Sequence, residues 1–125
     1  MYEFRLIHSL QYDEYSKWVD KHPHATLFHS LIWIDFICKE HKGQPHIYKI
    51  VHDGRLIGYW PFILVRKTVF KLFGSPLRGW LTTKMGPLLD ESLNIELILT
   101  LKELCQNNKL SYLELCGQVP DITSL

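Results

Sequence analysis

His46-Ile47-Tyr48-Lys49-Ile50-Val51-His52, then Asp53-Gly54, then Arg55-Leu56-Ile57-Gly58-Tyr59-Trp60-Pro61-Phe62-Ile63-Leu64-Val65, is the stretch that decides the fold. Two runs rich in β-branched and aromatic residues flank a two-residue break. Asp-Gly favours the type I′ turn, whose twist matches that of a hairpin. Antiparallel strands are therefore expected at His46–His52 and Arg55–Val65. Pro61 lacks an N–H, so a bulge or a change of partner is expected there. Leu56–Val65 is also the most apolar stretch of the chain. Its length of about ten residues is far short of the roughly twenty a membrane helix needs, so it reads as a buried strand.

Upstream, Ser30 is placed to cap a helix whose apolar stripe is Leu31, Ile34, Ile37 and Cys38. Gly43 fits just past its end, and Lys39, His41 and Lys42 suit the negative end of its dipole. Tyr12–Lys21 carries Tyr15, Trp18 and Val19 on one face and reads as a short amphipathic helix. His22-Pro23-His24 ends it, because proline cannot continue a helix. Tyr2–Ile7 alternates like a first strand. Downstream, Val69–Phe73 suggests a further strand and Gly74-Ser75-Pro76 a turn. Leu77–Leu89 is broken by Gly79 and Gly86-Pro87. Leu93–Gln106 is a strong helix, with Leu93, Leu97, Leu101, Leu104 and Cys105 on one face. Asp90, Glu91 or Ser92 can cap it, and Asn107-Asn108 ends it. Leu110–Cys116 reads as the last strand, and Gly117–Leu125 as a frayed tail.

The order β-α-α-β-β-(β)-α-β implies an α/β (α+β) domain: a mixed sheet with helices on its faces, over residues 1–116 with a tail at 117–125. With 46% hydrophobic residues in 125, the chain can build one core. A formal charge of +1 gives no broad pull toward nucleic acid or anionic membrane. Cys38, Cys105 and Cys116 are odd in number and widely spaced, as expected of buried apolar residues in a reducing compartment. The N-terminus lacks the pattern of a signal peptide, so a cytoplasmic location is expected. His22, His24, His29 and His41 match no standard zinc spacing, and no metal site is expected. No nucleophile–base pairing or carboxylate pair is legible, so no catalytic residue is assigned.

Four segments together resemble a known family. Ala25-Thr26-Leu27-Phe28-His29-Ser30-Leu31-Ile32-Trp33 is similar to the entry of the second helix in Fem-type proteins, which include the aminoacyltransferases that build peptidoglycan cross-bridges. Asp53–Pro61 resembles their hairpin, Lys84–Asp90 their segment before the third helix, and Tyr112-Leu113-Glu114-Leu115 the strand that follows. The resemblance covers Phe4 to about Cys116. It implies a GNAT-like (acyl-CoA N-acyltransferase-like) fold, truncated after the fifth strand, so that the chain alone would be an incomplete enzyme. Two departures stand out: Met85 replaces an arginine, with Lys84 one place earlier, and the later strands and second domain are not present.

The resemblance implies transfer of an aminoacyl or acyl group to an amine acceptor in cell-envelope biosynthesis. The donor would be aminoacyl-tRNA or acyl-CoA, with no cofactor held tightly. A standard acetyl-CoA cradle is a glycine-rich loop at a helix N-terminus. The stretch Thr83-Lys84-Met85-Gly86-Pro87-Leu88 fits it poorly, because Pro87 lacks an N–H and Leu88 is bulky where a small residue is needed. Arg78, Trp80, Lys84 and Gly86 are candidates for binding a UDP-linked or phosphate-bearing acceptor, since Arg binds phosphate through two hydrogen bonds and Lys as a point charge. His29 and Trp33 are further candidates at the helix entry, although Ser30 capping and core packing explain the same residues. The alternative class is a non-catalytic binding or structural domain. Leu110–Cys116 would be left as an exposed apolar edge, so self-association through that edge is expected unless the tail covers it.

Overall fold

The hairpin forms as its turn chemistry dictates. In the computed structural model, which describes residues 1–67, 70–75, 86–110 and 112–115, β2 (Gln44–His52) and β3 (Arg55–Lys67) pair antiparallel from His52 opposite Arg55. Asp53 and Gly54 both take positive φ, 51° and 84°, as a type I′ turn requires. β1 (Tyr2–Leu6) adds to β2 and β4 (Phe70–Ser75) to β3, both antiparallel. β6 (Tyr112–Leu115) joins β4 in parallel, Leu72 opposite Tyr112 through Ser75 opposite Leu115. The sheet runs β1-β2-β3-β4-β6. A two-residue strand, β5 (Leu88–Leu89), pairs with β3 off that path.

β3 changes partner along one edge. Gly58 and Tyr59 pair with β5, whereas Ile63–Lys67 pair with β4. Pro61 lies between the two, as its missing N–H leads one to expect, and its carbonyl accepts from Ser75 Oγ at 2.6 Å. The bulge lies elsewhere: the register slips between Ile50 and Val51, opposite Gly58 and Leu56, which leaves Ile57 as the extra residue. The slip reverses the alternation of β3, so Ile57 shares a face with Trp60, Phe62 and Leu64.

Two cores result, one on each face. Trp60, Phe62 and Leu64 pack with Phe73 under α3 (Ile95–Asn107), through Leu97, Ile98 and Leu101. Tyr59, Ile63 and Val65 pack under α1 (Tyr12–Lys21) and α2 (Leu31–His41), through Tyr15, Ile34, Ile37 and Cys38. Burial pushes the Cys38 thiol up to about 11 and the Cys105 thiol to about 11, so both are inert apolar fillers. Both faces of the long strand are covered, and that accounts for its continuous hydrophobic run.

Ser30 caps α2 as expected, its Oγ accepting from Trp33 N at 3.2 Å. The other end differs. Lys42, not Gly43, takes the left-handed conformation, with φ 55°. Gly43 is needed for space: a Cβ there would meet Ile63 Cγ2 at 2.6 Å and the Leu64 carbonyl at 3.2 Å. The cap of α3 also differs from Asp90, Glu91 or Ser92. It is Asn94, whose side chain accepts from Leu97 N at 3.0 Å, because Asp90 and Glu91 are drawn to Arg55 on β3. Gly74 and Ser75 extend β4 instead of turning, since both find partners on β6. Cys116 and the tail 117–125 lie outside the described residues. No helix among the described residues is long and apolar enough to cross a membrane.

Candidate functional site

The segment Gly86-Pro87-Leu88-Leu89-Asp90 has little regular structure of its own, yet its backbone is held at Gly86, Leu88, Leu89 and Asp90. Three aromatic side chains from the helical layer take its carbonyls. His29 Nδ1 accepts from Thr26 N at 3.1 Å, so the proton sits on Nε2, which donates to Gly86 O at 3.1 Å. His22 repeats the pattern: Nδ1 accepts from His24 N at 3.1 Å, and Nε2 donates to Leu89 O at 2.7 Å. Between them Trp18 Nε1 donates to Leu88 O at 2.8 Å. Buried Tyr15 donates its hydroxyl to His29 O at 2.6 Å and fixes the turn that carries His29. Burial lowers the His29 pKa, against the bond to Gly86, which raises it. The ring is therefore a neutral pin.

The hairpin holds the same segment from the sheet side. Asp90 N donates to Ile57 O at 2.8 Å. Arg55 reaches both Asp90 and Glu91 at 3.6 Å, and His52 Nδ1 lies 3.0 Å from Glu91. Gly58 makes the approach possible: a Cβ there would lie 2.2 Å from the Leu88 carbonyl and 2.8 Å from Leu89 Cα. Three segments distant in sequence, 25–33, 53–61 and 86–90, thus meet at one place.

His29 and Gly86, both candidates from sequence, are brought into contact, but both ring nitrogens of His29 are already committed to protein groups. Trp33 is half-buried at the margin of the core under α1 and α2, against Phe28 at 5.2 Å and Phe36 at 5.3 Å, which is core packing. Arg78, Trp80 and Lys84 lie outside the described residues, as do Thr83 and Met85. Sequence reasoning passed over Trp18, His22 and Tyr59. A tryptophan and a histidine four residues apart at the end of a helix were the available signal, but the carbonyls they bind are about seventy residues away, beyond the reach of local periodicity.

An open cavity of about 750 Å³ lies beside this junction, between α1, the start of β3 and β5. Trp18, Tyr59, Leu56 and Leu89 line it, with the Trp18 and Tyr59 rings 5.8 Å apart at 68°. Glu14, Lys17, Trp18 and Lys21 stand at i, i+3, i+4 and i+7 and present one stripe of α1 to it. Tyr59 is only 1% exposed. Burial raises its pKa, and the Glu14 carboxylate adds to the rise, so the hydroxyl keeps its proton.

The N-terminus of α3 is built differently from an anion cradle. The helix begins at Ile95, after β5 and a turn that carries Asp90 and Glu91, with Asn94 occupying the cap. Leu88 is buried in a strand pair at this point. The Asn94 side chain takes the Leu97 N–H and Glu96 puts a carboxylate in the first turn, where the dipole would otherwise favour a phosphate. Among the described residues no three His, Cys, Asp or Glu side chains gather as metal ligands do.

No family profile matches the chain, and no curated protein matches it. A solved structure does. The crystal structure of ribosomal-protein-alanine N-acetyltransferase from Brucella melitensis biovar Abortus 2308 superposes with a TM-score of 0.54 at 13% identity, over 96% of this chain and 83% of that one. Such low identity carries the architecture and not the chemistry. The mixed sheet, its parallel β4–β6 pair and the flanking helices are a GNAT-like acyltransferase fold.

Proposed function

We propose that this chain serves acyl transfer, as part of a Fem-like or related GNAT-fold acyltransferase that moves an aminoacyl or acyl group onto an acceptor amine. The observation that carries the reading is the superposition on an N-acetyltransferase across nearly the whole chain. In such a reaction the amine nitrogen attacks the carbonyl carbon of an activated ester or thioester. The tetrahedral oxyanion collapses, the bond to the ester oxygen or thioester sulfur breaks, and the proton given up by the amine ends on the departing oxygen or sulfur. The protein's work is positioning the two substrates and stabilising the oxyanion, which calls for no nucleophile of its own.

Of the two donors, aminoacyl-tRNA fits this chain better. A coenzyme A pyrophosphate would need free N–H groups at a glycine-rich helix start, whereas at α3 the Asn94 side chain already takes the Leu97 N–H and Glu96 adds a carboxylate to the first turn. The acceptor in this reading is a cytoplasmic, UDP-linked or phosphate-bearing cell-envelope precursor, with Arg78, Trp80, Lys84 and Gly86 as its anion contacts. The test is to incubate the full-length protein with radiolabelled aminoacyl-tRNA or acetyl-CoA and a UDP-linked amine acceptor. Label should pass from aminoacyl-tRNA to the amine, and acetyl-CoA should give no product. Transfer from neither donor to any amine offered would overturn the reading in favour of a binding domain.

A further inference from the structure

The cavity beside α1 has the makings of a ligand site, and its chemistry can be read without reference to acyl transfer. Its volume, about 750 Å³, lies within the range of pockets that hold small organic molecules, about 300–1,000 Å³. Its inner surface is apolar and aromatic: Trp18, Leu56 and Leu89. The Trp18 indole and the Leu89 backbone are immobilised by the junction, since Trp18 Nε1 holds Leu88 O at 2.8 Å and His22 holds Leu89 O at 2.7 Å. The lining is therefore preorganised.

One polar group is left over. Tyr59 is 1% exposed and lines the cavity, yet among the described residues its hydroxyl makes no hydrogen bond. A phenol that lines an open cavity can donate to an oxygen of whatever enters it. The charges on the rim add direction. Among the described residues Lys17 and Lys21 make no ion pair. Asp90, across the cavity, shares Arg55 with Glu91, each at 3.6 Å. Glu14 offsets one lysine, so the α1 stripe keeps one net positive charge.

We propose that this cavity binds an aryl anion. The flat body lies against Trp18 between Leu56 and Leu89, the carboxylate or phosphate meets Lys17 and Lys21, and the Tyr59 hydroxyl donates to an oxygen of the ligand. A planar ring suits the indole face, and an anion uses the free lysines.

The full-length protein would be titrated with 2-naphthoate, 2-naphthyl phosphate and 2-naphthylmethylammonium, followed by calorimetry and by the indole N–H resonance of Trp18. Both anions should bind and move that resonance, and the cation should not. The tighter of the two anions identifies carboxylate or phosphate as the natural head group. The double variant K17M/K21M should weaken anion binding by about tenfold, the scale of one lost charge-assisted contact. Tyr59→Phe keeps the ring and its packing and should weaken binding by about fivefold, the share of one hydrogen bond. An unchanged Trp18 resonance, a cation that binds as tightly as the anions, or wild-type affinity in K17M/K21M would each overturn the proposal. Loss of acyl transfer with anion binding intact, or the reverse, separates this site from the catalytic reading.

Discussion

The hairpin β2–β3 and the segment from Gly86 to Asp90 touch each other, but they are held by opposite means. The hairpin carries its instructions locally: a two-residue turn with the right chemistry and strands whose residues prefer extended backbone. The segment 86–90 has a two-residue strand and a proline, and every contact that places it comes from far away in sequence: His29, His22, Trp18, Gly58 and Arg55. One region would be recognisable as a peptide, whereas the other exists only when the helical layer and the sheet are both in place.

Gly58→Val should show the difference most strongly. Gly58 sits at the bulge with φ +159°, a conformation that side chains rarely adopt, so valine already strains the strand there. With β5 in place the new Cβ meets the Leu88 carbonyl, backbone that cannot step aside. A loss of about 3 kcal/mol is expected in urea unfolding, at the upper end of overpacking costs. Unchanged stability would mean that 86–90 does not press on the hairpin.

His29→Phe comes next. It keeps a ring in the buried turn but leaves Gly86 O and Thr26 N without their partner, at a cost of about 2 kcal/mol. Hydrogen exchange should accelerate at Leu88–Asp90 and stay slow in β2. Equal loss of protection in both regions would erase the distinction.

Gly54→Val probes the local region. There is open space around a Cβ at this position, so only the φ of +84° opposes the change. About 1–2 kcal/mol is expected, the cost of a β-branched residue in left-handed backbone. Thermal unfolding should fall, with the amides of 88–90 protected as before. A melting temperature equal to wild type would refute the type I′ turn as a constraint.

The smallest expected effect is one of pH. Burial holds the pKa of His29, and of His46 on β2, below the ordinary value. The folded state therefore resists protonation that the unfolded chain accepts. Above the ordinary histidine range both states are neutral and nothing is lost. As pH falls below about 6.5 the unfolded chain gains protons first, so stability declines down to the depressed folded pKa values. Urea midpoints in His46→Gln isolate the part due to His29. A decline that disappears in that variant would assign the effect to the strand and not to the junction.

Much of this was legible in the chain. Asp53-Gly54 announces its turn, Ser30 its cap, and the α1, α2 and α3 stripes their buried faces, because each depends on residues within about one or two turns of one another. Pro61 marked the change of partner through its missing N–H. The errors have a common origin. Gly43 and Gly58 are glycines because another backbone passes close by, and no neighbour in sequence records that. Asp90 and Glu91 look like helix caps until Arg55 claims them, and Ile57 reverses the alternation of β3 because two cores must be filled at once.

The sequence by itself determined the elements, their order and the hairpin, through torsional preference and hydrophobic period. Tertiary structure alone decided the two-residue strand at Leu88–Leu89, which nitrogen of His29 and His22 carries the proton, and the cavity between Trp18 and Tyr59. Those features rest on hydrogen bonds and van der Waals contacts between groups tens of residues apart. Such contacts form only when the whole chain closes, and they leave no periodic trace in the sequence.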